Sequence, residues 1–415
     1  MTAVLNILYR LLIAAVCLTA SIKYIQWARA DWLGSKITHE DLEAALRIEP
    51  DNTDFVRRVV SYRNGWADVD WVTDDELRRA ARMDPLNAEL WIPLAEREEA
   101  RGDKGAAEAD LIHAADVDHQ FIPAWVLANY YLQTENPEKA WAALDRCLRL
   151  NLQNYSLTPV FALMWGLSSD AARIQSALPK QGSIPVAYLD YLITTDHADA
   201  AISAWPLALA AGAKDPASAD RLNSFAGYLI RKGRTLEAVS AWNALIDSKV
   251  IRSGRLNPRL GESVADPDFR FTEHPGAFGW KISRTGGIFA TALSSGNRPE
   301  LSVDLDGNEP EAVDLASISA PVLGGRSYRL IVQFDPAGLK NLQDPGFAVR
   351  AEPKPGKTLF ECPLLPLKGE SAICPLTVPQ GTNLLEIVLA YRRAPGTVRA
   401  LGTLRLFRVA LEFAD

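Results

Sequence analysis

The strongest chemical signal in the chain is a pair of cysteines near its C-terminus. Cys362 and Cys374 sit at matching places in Phe360-Glu361-Cys362-Pro363 and Ala372-Ile373-Cys374-Pro375. The segment between them holds Pro366, Lys368 and Gly369 and is expected to fold back as a hairpin. That would set the two sulfurs opposite each other across adjacent strands. A disulfide is the preferred reading, and it implies an oxidising compartment; two buried thiols are the alternative. Cys147 occupies a small-residue core position and Cys17 lies in an apolar segment, neither with metal-ligand spacing.

Other chemistry is sparse. His39, His113, His119, His197 and His274 show no ligand spacing with cysteine or with each other, and they read as surface or turn residues. There is no phosphate loop, dinucleotide fingerprint or serine-nucleophile elbow. Asp304-Leu305-Asp306-Gly307-Asn308, followed by Glu309 and Glu311, has the start of a calcium loop, but its glycine is misplaced for an EF-hand. Asp306-Gly307 between two alternating runs is expected to be a tight hairpin turn. Paired carboxylates for glycoside hydrolysis are defined by spatial separation, and no pair is signalled. No catalytic residue, metal or cofactor is therefore assigned. The candidates for contact with a glycan are the rings of Trp280, Tyr328 and Tyr391 and the pair Arg392-Arg393; the bland alternatives are core rings and a solvated strand end.

The elements that would carry these residues differ between the two halves. Of 44 Lys+Arg and 51 Asp+Glu, 19 and 18 lie from Ile251 onward, which leaves 25 and 33 in the first 250 residues. An acidic first half and a near-neutral second half fit separate modules, and the net charge of −7 argues against nucleic acid as the main partner. Ten of the 11 tryptophans precede residue 250, so the second half has few stacking rings.

Near the N-terminus, Leu11 to Ile22 is a 12-residue run without charge, preceded by Arg10 and followed by Lys23. A membrane-spanning helix needs ~20 mainly apolar residues. Val4 to Trp27 reaches that length if Arg10 and Lys23 snorkel to the interfaces, with Tyr9, Tyr24 and Trp27 as interfacial aromatics. An uncleaved anchor is preferred over a cleaved signal peptide and over a buried soluble helix. Ala28-Arg29-Ala30 lies too far beyond the apolar core for a convincing cleavage site. Lys23, Arg29 and Lys36 after the segment oppose an exported bulk, and the cysteine pair favours one; an inner-membrane anchor with its bulk in the periplasm is the expectation.

Beyond the anchor the chain repeats. Ile48-Glu49-Pro50, Met83-Asp84-Pro85, Val117-Asp118-His119 and Leu150-Asn151-Leu152 recur at spacings of 35, 34 and 33 residues. Ala88 to Ala115 reads as two antiparallel helices: Trp91, Leu94 and Ala95 on the first, Ala107, Leu111 and Ala114 on the second, and Gly102-Asp103 between them. The next unit repeats this with Leu127, Ala128, Tyr131, Ala140, Leu144 and Cys147, and Ala201/Trp205 and Ala238/Trp242 are near copies 37 residues apart. About six hairpins are expected between residues 20 and 248. The helix His39 to Glu49 needs a partner before it, which only Ile22 to Trp32 supplies, so the anchor helix should run straight into the first hairpin.

This pattern resembles the tetratricopeptide (TPR) repeat, whose period is ~34. The resemblance implies an α-solenoid that binds a protein partner along its inner face, through first-helix positions left free by the core pattern. Here those are Glu89, Ile92, Glu96, Trp125, Asn129, Asn223 and Arg231; Trp125 has a core reading as well.

After Gly254 to Asp268, which reads as a linker, the period becomes alternating. Ten strands are expected: 278–283, 288–293, 300–305, 311–318, 327–334, 347–352, 358–364, 372–378, 383–391 and 403–413. Phe278-Gly279-Trp280, the turn-then-strand Gly324 to Leu330 and the closing Gly402…Val409-Ala410-Leu411 resemble jelly-roll, galactose-binding-like modules. The expected fold class is thus α + β and multidomain: a membrane segment over 1–30, a TPR-like α-solenoid over 31–250, a linker over 251–268 and a jelly-roll β-sandwich over 269–415. This arrangement resembles bacterial envelope proteins of exopolysaccharide or O-antigen assembly. The resemblance implies a non-catalytic scaffold with protein partners, and a β-domain that binds glycan or another subunit. A general adaptor in envelope protein assembly is the alternative, and a polysaccharide hydrolase a third reading.

Overall fold

The computed structural model describes residues 2–36, 38–63, 72–150, 155–271, 276–293, 298–341, 345–353, 357–364 and 370–414. His274, Asn151-Leu152 and the Pro366–Gly369 turn lie outside the described residues. The chain divides into two compact units, Met1–Leu178 and Pro179–Asp415.

The first unit is helical: α1 (Thr2–Gly34), α2 (His39–Ile48), α3 (Thr53–Arg63), α4 (Asp74–Met83), α5 (Ala88–Ala100), α6 (Lys104–Val117), α7 (Phe121–Gln133), α8 (Pro137–Arg149), α9 (Thr158–Ser168) and α10 (Ala171–Ala177). Its hairpins close in a shared way. The recurring phrase marks where each second helix stops: Glu49, Asp84 and Asp118 leave helical geometry, and their N–H groups donate to Ala45, Ala80 and Ala114. Second helices begin on side-chain caps. Thr73 and Glu76 form a reciprocal capping box, and Asp103 and Asn136 cap α6 and α8. Between the helices of a hairpin one residue goes left-handed, Gly102 in one and Glu135 in the next. The amide after it then reaches back, Asp103 to Glu98 O at 2.9 Å and Asn136 to Tyr131 O at 2.8 Å. Ala95, Ala107 and Ala114 are fully buried, which lets the paired helices approach closely.

Helix α1 is continuous from the apolar segment into the first hairpin. Asn6–Gly34 has mean hydropathy 1.6 and is long enough to cross a membrane. Its small polar side chains bond back to their own helix, Thr19 to Ala15 O and Ser21 to Cys17 O. Ala30 and Leu33 are buried with Ala45 and Phe55, and Arg58 donates to Gly34 O at 3.0 Å. The expected pairing of the apolar helix with α2 is therefore made by its last turns. Among the described residues there are seven helical hairpins, counting those of both units, against about six expected; α9 with the seven-residue α10 is the shortest.

The second unit joins four helices to a sandwich. The helices are α11 (Ile184–Thr194), α12 (Ala198–Gly212), α13 (Ala219–Arg231) and α14 (Thr235–Asp247). The near copies fall where their spacing requires: Ala201 and Ala238 are fully buried, and Trp205 and Trp242 are buried beside them. The strands are β1 (Lys281–Ile282), β2 (Ile288–Leu293), β3 (Glu300–Asp306), β4 (Ala312–Pro321), β5 (Ser327–Lys340), β6 (Pro345–Glu352), β7 (Phe360–Pro363), β8 (Ser371–Thr377), β9 (Leu384–Arg393) and β10 (Leu401–Phe413). They form two five-stranded sheets, β1-β4-β9-β6-β7 and β2-β3-β10-β5-β8, and every pairing is antiparallel. Alternate side chains of both sheets fill one core that includes Tyr328, Leu330, Val332 and Phe334 from β5 and Ile387, Leu389 and Tyr391 from β9.

Three expectations change. The segment read as a linker is an ordered strap. Ile251, Leu256, Ser263, Ala265 and Asp266 are buried, and Gly254 N donates to Ala265 O at 3.0 Å. The Asn243 amide grips the Leu256 backbone in both directions, at 2.8 and 2.9 Å. Turn-rich composition marked irregular backbone, but not whether that backbone was covered. Asp306-Gly307 does not close a hairpin, because β3 and β4 belong to opposite sheets. The buried Glu309 anchors that crossing by accepting from Tyr391 Oη at 3.1 Å and Ala400 N at 2.8 Å. Finally, the structure carries the Cys362–Cys374 disulfide with a Cα separation of 5.9 Å, but β7 and β8 lie in different sheets. The bridge ties sheet to sheet instead of strand to neighbouring strand.

Candidate partner-binding surface

On α5 the candidate residues Glu89, Ile92 and Glu96 stand at i, i+3 and i+7, one face of the helix. Leu90, Leu94, Ala95 and Glu98 are buried on the other side. Glu89 and Glu96 are exposed and Ile92 is half-buried. On α7 the half-buried Trp125 and Asn129 repeat this placement, with Ile122 exposed one turn earlier. Trp125 is held by the Phe121 ring, with centroids 6.0 Å apart, and Asn129 donates back to Trp125 O at 2.8 Å. The surface is therefore part apolar and part acidic.

Arg57 on α3 extends it, a residue outside the set that the repeat resemblance singled out. Its guanidinium bonds Glu89 at 3.0 Å and Asp54 at 3.1 Å, and the Glu89 carboxylate holds it above its ordinary pKa. Glu96 makes no ion pair among the described residues. It stands exposed on the same face as the half-buried Ile92.

The two candidates of the second unit behave differently. Arg231 is exposed at the end of α13. Asn223 is covered: Gly276 comes so close that a Cβ on it would lie 2.4 Å from Asn223 Oδ1. Trp242 packs edge-to-face on Phe278 two residues later, at 5.6 Å. Asn223 is thus a seat for the segment leading into the sandwich and not an open groove position, a contact between distant residues that repeat spacing cannot register.

The glycan-stacking candidates are corrected as well. Trp280 is buried and its Nε1 donates to Asp266 O at 2.8 Å. Tyr328 is buried and its hydroxyl accepts from Leu323 N at 2.8 Å. Tyr391 is buried, and that burial, followed by the charge and hydrogen bond of Glu309, pushes its hydroxyl up to about 12. All three rings belong to the sandwich core, so they offer no face to a sugar. Arg393 is mostly buried and lies 4.0 Å from Glu309 and 3.9 Å from Glu311; only Arg392 of this set is exposed.

A cleft of about 640 Å³ lies between α14 and the strap, lined by Leu236, Ser240, Asn243, Arg255, Asn257 and Arg259 among others. Sequence reading had no signal for it once the strap was read as a linker. Among the described residues no group of three or more His, Cys, Asp or Glu side chains is placed to hold a metal ion. The calcium-like carboxylates are engaged elsewhere: Asp306 accepts from Asn308 N at 2.8 Å, Asp304 from Thr403 Oγ1, and Glu309 is buried.

No family model and no curated protein matches the chain. Among solved structures it is similar to the MamA protein, at 16% identity over 48% of this chain and 91% of that one, with a TM-score of 0.23. It is similar to YrrB, described as a TPR protein with an unusual peptide-binding site, at 16% identity over 43% and 94% with a TM-score of 0.23. PilF of Pseudomonas aeruginosa aligns at 17% identity over 55% and 90%, with a TM-score of 0.27. The hairpin repeat stands on its own geometry: caps, left-handed turns and buried alanines recurring at one period.

Proposed function

We propose that this protein is a non-catalytic, membrane-anchored scaffold that binds a protein partner along the face formed by α3, α5 and α7. The observation that carries this is the row Glu89, Ile92, Glu96 on α5, continued by Trp125 on α7. It is left outside the hairpin core, and it combines exposed carboxylates with apolar side chains. Such a surface suits a basic, amphipathic segment of a partner. Helix α1 would be the anchor, because cleavage after Ala30 would cut through the buried contacts that complete the first hairpin. A disulfide fits an exported bulk on the periplasmic side.

The sandwich is, on this reading, a jelly roll. From β3 to β10 successive strands alternate between the sheets except at β6–β7, giving the orders β3-β10-β5-β8 and β4-β9-β6-β7. With Trp280, Tyr328 and Tyr391 in its core, this module would serve as a protein-contacting subunit surface in place of a sugar-stacking one. What supports a role in exopolysaccharide or O-antigen synthesis or export is the resemblance in the order of modules alone.

A photo-crosslinking amino acid at Glu96 in the full chain, in native membranes, tests the reading. A discrete crosslinked protein is expected at Glu96 and at Ile92, and is expected to be absent at the exposed Ile112 on α6. Equal capture at all three positions, or none at any, would sink it.

A further inference from the structure

The two sheets have four edges, and three are blunted. β1 has two residues, β7 carries Pro363, and β8 carries Pro375 and is held by the disulfide. Short strands, proline and covalent ties are the usual protections against edge-to-edge pairing. The fourth edge, β2, is Ile288-Phe289-Ala290-Thr291-Ala292-Leu293, six residues with no charge and no proline.

Its backbone groups can be assigned. Asp306 N donates to Gly287 O at 3.2 Å, so Phe289, Thr291 and Leu293 direct their amides and carbonyls to β3. Ile288, Ala290 and Ala292 face the free edge. The Ile288 amide donates to Thr285 O at 3.3 Å, which leaves Ala290 and Ala292 facing no partner strand among the described residues. On the outer face Phe289 is 60% exposed and Leu293 41% exposed, with Thr291 exposed between them; Ala290 and Ala292 pack on the core.

We propose that β2 pairs antiparallel with β2 of a second copy of this chain, about a two-fold axis through Thr291. In that register Ala290 and Ala292 of each copy exchange hydrogen bonds with Ala292 and Ala290 of the other, which uses the groups left free. Phe289 stands opposite Leu293 of the second copy and Leu293 opposite its Phe289, while the two threonines face each other. The row is complementary to itself, and the strand has no charge that duplication would set against its like. A one-residue slip would face outer side chains to inner ones, and of the registers that keep the faces matched the two-fold at Thr291 is the one that pairs Ala290 with Ala292. The product is a continuous ten-stranded sheet with its two-fold at the seam.

The test uses the full chain carrying Cys17→Ser, which removes the exposed thiol of α1. Thr291→Cys in this background should form a covalent dimer under mild oxidation, because facing residues of a non-hydrogen-bonded pair lie ~4.5 Å apart between Cα atoms. Leu260→Cys, on the strap and 70% exposed, should not. Thr291→Lys should weaken the dimer about tenfold or more in sedimentation, and an equal mixture of Thr291→Lys and Thr291→Glu chains should restore it. A monomeric parent chain, crosslinking no greater at Thr291→Cys than at Leu260→Cys, or charge variants that mix without effect would each overturn the proposal. The Thr291→Cys crosslink keeps the test decisive if a charge variant folds poorly, and the Lys/Glu mixture separates pairing at β2 from association through α1.

Discussion

At the residue scale, the Asp110 carboxyl on α6 is displaced from its ordinary behaviour. Burial is the main cause of its rise from 3.8 to about 7, followed by the charge of Glu98 and the hydrogen bond the two carboxyls share; His113 and Arg78 pull the other way. Glu98 on α5 is itself buried and lies 3.4 Å from Arg78 on α4. The folded state therefore keeps a proton on Asp110 that an unfolded chain has lost between about pH 4 and pH 7. The stabilisation is complete below about pH 4 and disappears as the pH rises to about 7. Asp110→Asn, which keeps the donor without the charge, should raise the melting temperature at pH 8 by about 3 °C and leave it unchanged at pH 4. A loss of equal size at both pH values would show that the carboxyls do not share a proton. Glu98 stands four residues after Leu94, where the next hairpin has Tyr131 after Leu127. That misfit was the available sign, and it needed Asp110 across the hairpin to acquire a meaning.

Among the elements, the sandwich was the most legible. Strand alternation located all ten strands, although β5 runs to Lys340, six residues past its expected end, because an inward residue of every β-strand needs an apolar side chain whatever its neighbour. Pairing was not legible. Cys362 and Cys374 were expected on neighbouring strands, and the chain between them changes sheet instead. Replacing both with serine should lower the stability of the second unit by about 2–4 kcal/mol, read from denaturant midpoints, as expected for a loop of this size. No shift in midpoint would mean the two sheets need no staple. The strap shows the same division. Its glycines and prolines announced irregular backbone, but Asn243 clamping Leu256 and Trp242 donating to Gly254 O at 3.2 Å became visible only in three dimensions.

At the scale of the whole molecule, the change from helix to strand is not the boundary between compact units. Helices α11–α14 belong with the sandwich. The strap is tied to α14 at one end and to β10 at the other, where Val409 N donates to Pro267 O at 2.8 Å and Arg408 pairs with Asp268 at 2.7 Å. A fragment of residues 179–415 should unfold in a single transition. One of residues 269–415 loses Trp242 from Phe278 and the Asp266 carbonyl from Trp280, and should melt at least about 10 °C lower or fail to stay soluble. Identical melting temperatures would restore the boundary that composition suggested.

The sequence by itself determined the local periods: the ~34-residue helical repeat, the apolar N-terminal helix running into it, and the alternation of ten strands. These depend on each residue meeting an apolar or a solvent environment, which spacing alone encodes. Tertiary structure decided which faces were covered. It buried Trp280, Tyr328 and Tyr391, placed Asn223 under Gly276, joined Cys362 to Cys374 across the sandwich, and left α5 and the edge of β2 open. Coverage depends on contacts between residues far apart in the chain, and no local pattern records them.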